Sequence, residues 1–99
     1  MKGNTLKEFI DDLLSVGGPE KEFAFNGRRF FLETTFDRQL GQFDMCIQEY
    51  LPDAEQTNLH EYHFEGKTET ECVHKFEKAK IFDGKNIYEA EQDITVLFG

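Results

Sequence analysis

Three histidines, two cysteines and twenty carboxylates are the side chains through which this chain of 99 residues could do chemistry. Two of the histidines stand close together in His60-Glu61-Tyr62-His63. On a strand, residues three apart point to opposite faces, so these imidazoles cannot readily chelate one ion. The zinc-peptidase pattern needs histidines four apart on a helix with Glu beside the first, whereas these are three apart on a strand. Cys72-Val73-His74 could supply half of a thiolate–imidazole site, with Cys46 and His60 completing it. Zinc sites, however, usually announce themselves by close pairs such as C-x₂-C, which the chain lacks. Cys72 falls on an apolar helical stripe and His74 on the polar side of the same helix, which also separates them as a nucleophile and its base. No catalytic residue, metal ligand or cofactor site is therefore expected.

Glu61, His63 and Glu65 alternate along one strand and should lie in a row. A histidine between two acids holds its proton to higher pH, so the row could act as a pH-sensitive surface or a weak cation site. A solvated strand face is the plainer reading. Asp83-Gly84-Lys85-Asn86 opens like a calcium loop but lacks an oxygen ligand at the third position and a Glu at the twelfth, where Ile94 stands. The glycines form neither a dinucleotide fingerprint nor a P-loop. Arg28-Arg29 is too small a basic feature to hold nucleic acid.

Charge narrows the partners. Eleven Lys and Arg against twenty Asp and Glu leave a net charge of −9. The imbalance argues against direct nucleic-acid binding, which needs clustered cations, and against anionic membranes. A basic protein surface remains a suitable partner. Leu6–Leu14 is interrupted by Lys7, Glu8, Asp11 and Asp12, so no signal peptide is read, and no run is long enough to span a membrane. Two cysteines are few for a disulfide-stapled secreted domain of this size, which points to reduced thiols in the cytoplasm.

The elements that must position these groups begin at Glu22–Phe36. Asn26-Gly27 between two alternating runs is the signature of a two-residue hairpin turn. That turn sets Phe25 opposite Arg28, Ala24 opposite Arg29 and Phe23 opposite Phe30. Phe23, Phe25, Phe30, Leu32 and Phe36 then share an inward face, and Glu22, Ala24, Arg29, Phe31, Glu33 and Thr35 the outward one. Upstream, Thr5 caps a helix whose stripe is Leu6, Phe9, Ile10, Leu13 and Leu14, ended by Gly17-Gly18-Pro19. Downstream, Asp37–Gly41 turns into a third strand, 43–50, with Phe43, Met45 and Ile47 inward and Asp44, Cys46, Gln48 and Tyr50 outward. Residues 51–58 read as a surface loop and 59–65 as a fourth strand, with His60, Tyr62 and Phe64 facing inward.

Thr68 caps a second helix with the stripe Cys72, Val73, Phe76 and Ala79, a Glu71–Lys75 pair, and a break at Asp83-Gly84. Asn86 and Glu89 cap a short turn of helix through Ala90. Residues 93–98 carry both helical spacing and β-branched residues, and are read as a strand. The fold class is α+β in one domain over residues 1–99: an antiparallel sheet of four to five strands, two or three helices covering one face, order α-β-β-β-β-α-(α)-β. Eleven phenylalanines furnish the core, each removing about 150–250 Å² from water when buried.

Phe31 is the outward apolar exception. With Tyr50 and Cys46 from the third strand and Arg29 and Glu33 beside it, it makes a modest apolar patch in a charged surround. The leading expectation is a non-enzymatic interaction or regulatory module that binds another protein or a second copy of itself there, with loop 51–58 as a further contact. A competing structural reading has the C-terminal segment covering Phe31. Two other functions are weighed: an acidic inhibitor filling the basic groove of a nucleic-acid-binding protein, and a small-ligand carrier or enzyme with a helix–sheet pocket around His60 and Tyr62. Lys75, Lys78 and Lys80 count against the inhibitor on the second helix.

Overall fold

Asn26 and Gly27 adopt φ of 47° and 75°, the left-handed pair that a tight hairpin turn requires. The strands they join are β1 (Lys21–Phe25) and β2 (Arg28–Asp37), paired in the expected register. This computed structural model describes residues 1–15 and 20–99. Around the hairpin stand α1 (Leu6–Leu13), β3 (Gln42–Tyr50), β4 (Asn58–Gly66), α2 (Glu69–Lys78), α3 (Ile87–Ala90) and β5 (Ile94–Phe98). The fold is α+β: among the described residues, one antiparallel sheet in the order β4-β3-β2-β1-β5 with three α-helices.

All three helices lie against the same sheet face. Phe9 and Leu13 of α1, Cys72, Val73 and Phe76 of α2, and Ile87 and Ala90 of α3 join one buried cluster with Phe23, Phe30, Leu32, Met45 and Ile47. Phe23 and Phe30, opposite one another across the hairpin, stack with centroids 5.3 Å apart. Phe82 is the ring the others surround, 5.2 Å from Phe30, 5.3 Å from Phe25 and 6.0 Å from Phe23. Each such aromatic pair adds about 0.5–1.5 kcal/mol beyond the area it buries.

Phe82 gets there by a route the sequence reading placed differently. The second helix ends at Lys78, with Ala79 already extended (φ −73°, ψ 131°), well before Asp83-Gly84. Asp83 and Gly84, at φ 53° and 81°, instead form a second tight turn, closed by the reciprocal Phe82–Lys85 backbone bonds. That turn drives the Phe82 ring inward. The Glu71–Lys75 pair also fails to form: the Glu71 carboxylate accepts the Lys67 backbone N–H at 2.9 Å, and Lys75 donates to the Glu65 carbonyl. Main-chain groups at the helix entry outcompete a solvated ion pair, which is worth little.

Phe36 corrects the inward set. It lies on the inner side of β2 but is 51% exposed, because the strand runs on past the helical layer, and its ring rests on Phe43 at 4.8 Å. The expected Gly17-Gly18-Pro19 stop lies outside the described residues. The 93–98 ambiguity resolves as a strand: β5 pairs with β1, Ile94 opposite Phe25 and Thr95 opposite Ala24. The C-terminal segment therefore extends the sheet sideways and does not cover Phe31. Among the described residues, no helix is long and apolar enough to cross a membrane.

Candidate functional site

The face of the sheet turned away from the helices is organised in rows fixed by strand register. One row runs Glu22–Phe31–Gln48–Glu61 across β1 to β4, and the next Ala24–Arg29–Tyr50–Asn58. On the other side of the first row stand Glu33–Cys46–His63 and then Thr35–Asp44–Glu65. Diagonal neighbours in such rows are within reach of aromatic side chains. Phe31 and Tyr50 do meet in this way: with Gln48, Asn58 and Gln56 they line a cleft of about 270 Å³. Gln56 belongs to loop 51–58, so the two contact regions expected from the sequence adjoin.

Polar bonds hold the cleft's edge. The Tyr50 hydroxyl donates to Glu22 Oε1 at 2.7 Å, and Arg29 Nη1 reaches the same oxygen at 3.4 Å. Burial and the neighbouring Glu22 carboxylate raise the Tyr50 phenol above its usual pKa. Glu22, Glu33, Asp44, Glu61 and Glu65 all face outward along β1–β4, with Arg29 and the imidazole of His63 standing among them. The surround is acidic.

Cys46 and Glu33 sit outside the cleft, in the row shared with His63. His63 Nδ1 is 2.9 Å from Asp44 Oδ2, and Nε2 is 3.0 Å from Glu61 Oε2. Hydrogen bonds accepted by the Glu61 and Asp44 carboxylates raise the imidazole above its ordinary pKa of 6.5. One acid is thus the expected Glu61, but the other is Asp44 from the neighbouring strand. Glu65 is taken by the Gln42 side-chain amide at 3.0 Å. The Cys46 thiol is pushed up to about 11, by burial first and then by Glu61, Asp44 and Glu33.

Cys72 is buried beneath the sheet, its Sγ 3.7 Å from the Phe43 carbonyl, on the opposite side from Cys46. That separation rules out the four-ligand combination of both cysteines with His60 and His74. His60 is exposed at the start of β4, its ring 5.8 Å from that of Tyr62, and His74 is exposed on α2.

Among the described residues two buried charged groups escaped the sequence reading, Lys21, which donates to Asp12 and the Gly99 carbonyl, and Glu49. Glu49 lies on the inner side of β3 and is only 1% exposed. Arg28 Nη1 donates to it at 2.7 Å and the Tyr62 hydroxyl at 3.0 Å. Arg28 Nη2 also donates to Asp83 Oδ1 at 2.6 Å, and Asn26 to Asp83 Oδ2 at 3.1 Å, which ties the hairpin turn to the Asp83-Gly84 turn. Burial and Glu49 push the Tyr62 phenol up to about 12. The alternation Met45, Ile47, Glu49 was the available signal, because it carries a carboxylate into the core opposite Phe30. Both Glu49 oxygens are occupied by protein donors, as a structural tie requires.

Comparison with known proteins finds no matching family model, no matching curated protein and no matching solved structure. The site must be read from its own geometry.

Proposed function

We propose that this chain is a non-enzymatic interaction module that takes a protein partner with a basic surface onto the uncovered face of its sheet. One observation carries the reading: Phe31 and Tyr50 line a single cleft within an otherwise acidic face. Aromatic anchors in a recess, rimmed by charge, are what a binding hot spot needs. The acids around it speed encounter with a cationic partner and repel an anionic one. The basic groove of a nucleic-acid-binding protein is one surface of that chemistry. A second copy of the chain is a poorer match, since two such faces brought together set carboxylates against carboxylates. Free thiols on Cys46 and Cys72, on opposite sides of the sheet, suit a reducing cytoplasmic setting.

Panning displayed peptides against the immobilised chain tests this reading. Enriched sequences should carry Lys and Arg around an apolar residue, and their binding should weaken as ionic strength rises. Phe31→Asp should weaken them about tenfold or more, equivalent to ~1.4 kcal/mol. Enrichment of sequences without cationic bias, or binders indifferent to Phe31→Asp, would overturn it. Sedimentation equilibrium covers the self-association version: a concentration-dependent dimer lost in Phe31→Asp would assign the face to a second copy.

A further inference from the structure

We infer that Cys46, Glu61 and His63 form a binding site for a borderline-soft divalent cation of the zinc class on the open face of the sheet. The cysteine sulfur, a Glu61 oxygen and a His63 nitrogen all lie within 4.8 Å of one another. The backbone arranges this directly. Glu61 and His63 are two apart on β4 and so share a face, and Cys46 is the cross-strand partner of His63 on β3. In a tetrahedral zinc site, metal–ligand distances of about 2.0–2.3 Å set the donors roughly 3.5 Å apart. Small side-chain rotations of half-exposed Glu61 and His63 close that gap without moving the strands.

Two ligands are already aimed. Asp44 holds His63 through Nδ1, leaving Nε2 turned towards Glu61, the carboxylate–histidine arrangement that orients imidazole on metals. The Gln48 amide donates to Glu61 Oε1 at 3.1 Å and leaves Oε2 facing the imidazole. Water completes the fourth position, as in open zinc sites. Sulfur and nitrogen among the donors select zinc-like ions over calcium or magnesium, which take oxygen alone.

The cation takes Cys46 as thiolate and His63 through an unprotonated Nε2, any proton displaced going to solvent, with no electron transferred. The groups facing these two atoms are Glu33 from β2, Asp44 on β3, and Glu61 and His63 on β4. Their carboxylates favour a cation held beside the sulfur.

Titration of the reduced, tag-free protein with Co²⁺, followed by displacement with Zn²⁺, tests the site. The expected result is one equivalent bound, with tetrahedral cobalt absorption and a thiolate-to-cobalt charge-transfer band. Cys46→Ser should abolish that band, and His63→Ala should weaken Zn²⁺ binding by more than the loss in Asp44→Asn. Asp44→Asn, a positioning change, should keep the band while weakening Zn²⁺ binding roughly tenfold. Circular dichroism confirms that each variant is folded. Absence of the thiolate band, or binding unchanged in both Cys46→Ser and His63→Ala, would overturn the proposal. The site does not depend on the partner reading, because Zn²⁺ is titrated without a partner and Phe31 supplies no ligand.

Discussion

The two faces of this sheet are built from the same strands, residue by residue in alternation, yet they solve different problems. The inner face is a dry stack of phenylalanines under three helices, with its buried carboxylate Glu49 fully occupied by Arg28 and Tyr62. The outer face has acids at the same spacing and, among the described residues, no helical cover and an aromatic cleft. Neighbouring positions such as Phe30 and Phe31 differ only in the direction of their side chains. What separates the inner face from the outer one along these strands is therefore parity, not composition.

Truncating one phenylalanine on each face is the sharpest test of that parity. Phe30→Ala should cost about 3–5 kcal/mol in denaturant unfolding, because it empties a buried ring site. Phe31→Ala should cost less than about 1 kcal/mol, since its removal opens no cavity under the helices. Equal losses would mean that the two faces are not distinct in energy.

Glu49→Ala is the next largest change. Removing one partner of a buried ion pair costs about 3 kcal/mol or more, leaving the Tyr62 hydroxyl and part of Arg28 without an acceptor. On the open face, Glu33→Ala should shift stability by no more than ~0.5 kcal/mol. A Glu49 loss as small as that of Glu33 would show that the inner network contributes no net stability.

Asn86→Ala probes the helical layer by itself. Asn86 and Glu89 form a reciprocal capping box on α3, and losing the cap should cost about 1 kcal/mol. The same unfolding series measures it.

The smallest effects are two pH signatures, one from His63 on the open face and one from Asp83 where the two turns are tied together. His63 titrates above its ordinary 6.5 in the folded chain, so its stabilising contribution is complete below that pH and disappears as pH rises through the elevated value. His63→Gln should flatten stability against pH in that window. Asp83 is held below its ordinary 3.8 by Arg28 and Asn26, so its contribution is present above that value and is lost as acid takes the pH below it. NMR titration of the two side chains checks both directions.

Local chemistry made much of this legible beforehand. Asn26-Gly27 dictates its own φ values, and with them the β1–β2 register and the outward position of Phe31. Thr5, Thr68 and Asn86 each cap the helix that follows, using bonds that span only three residues. Alternation alone separated Cys46 and Tyr50 from Met45 and Ile47. These features need no knowledge of distant segments.

Other features depend on which segments meet. His63 stands beside Cys46 because β3 and β4 pair in one register after loop 51–58, with an irregularity at Glu49/Tyr50 that no local rule supplies. Phe82 is central because a turn sends it under a hairpin more than fifty residues earlier in the chain. Phe36 is exposed because the helices end short of it. The sequence by itself determined directions, caps and turns, since steric limits on φ and ψ act within a few residues. Tertiary structure alone decided which of those directed side chains became neighbours, because long-range pairing is selected by the burial of the whole core.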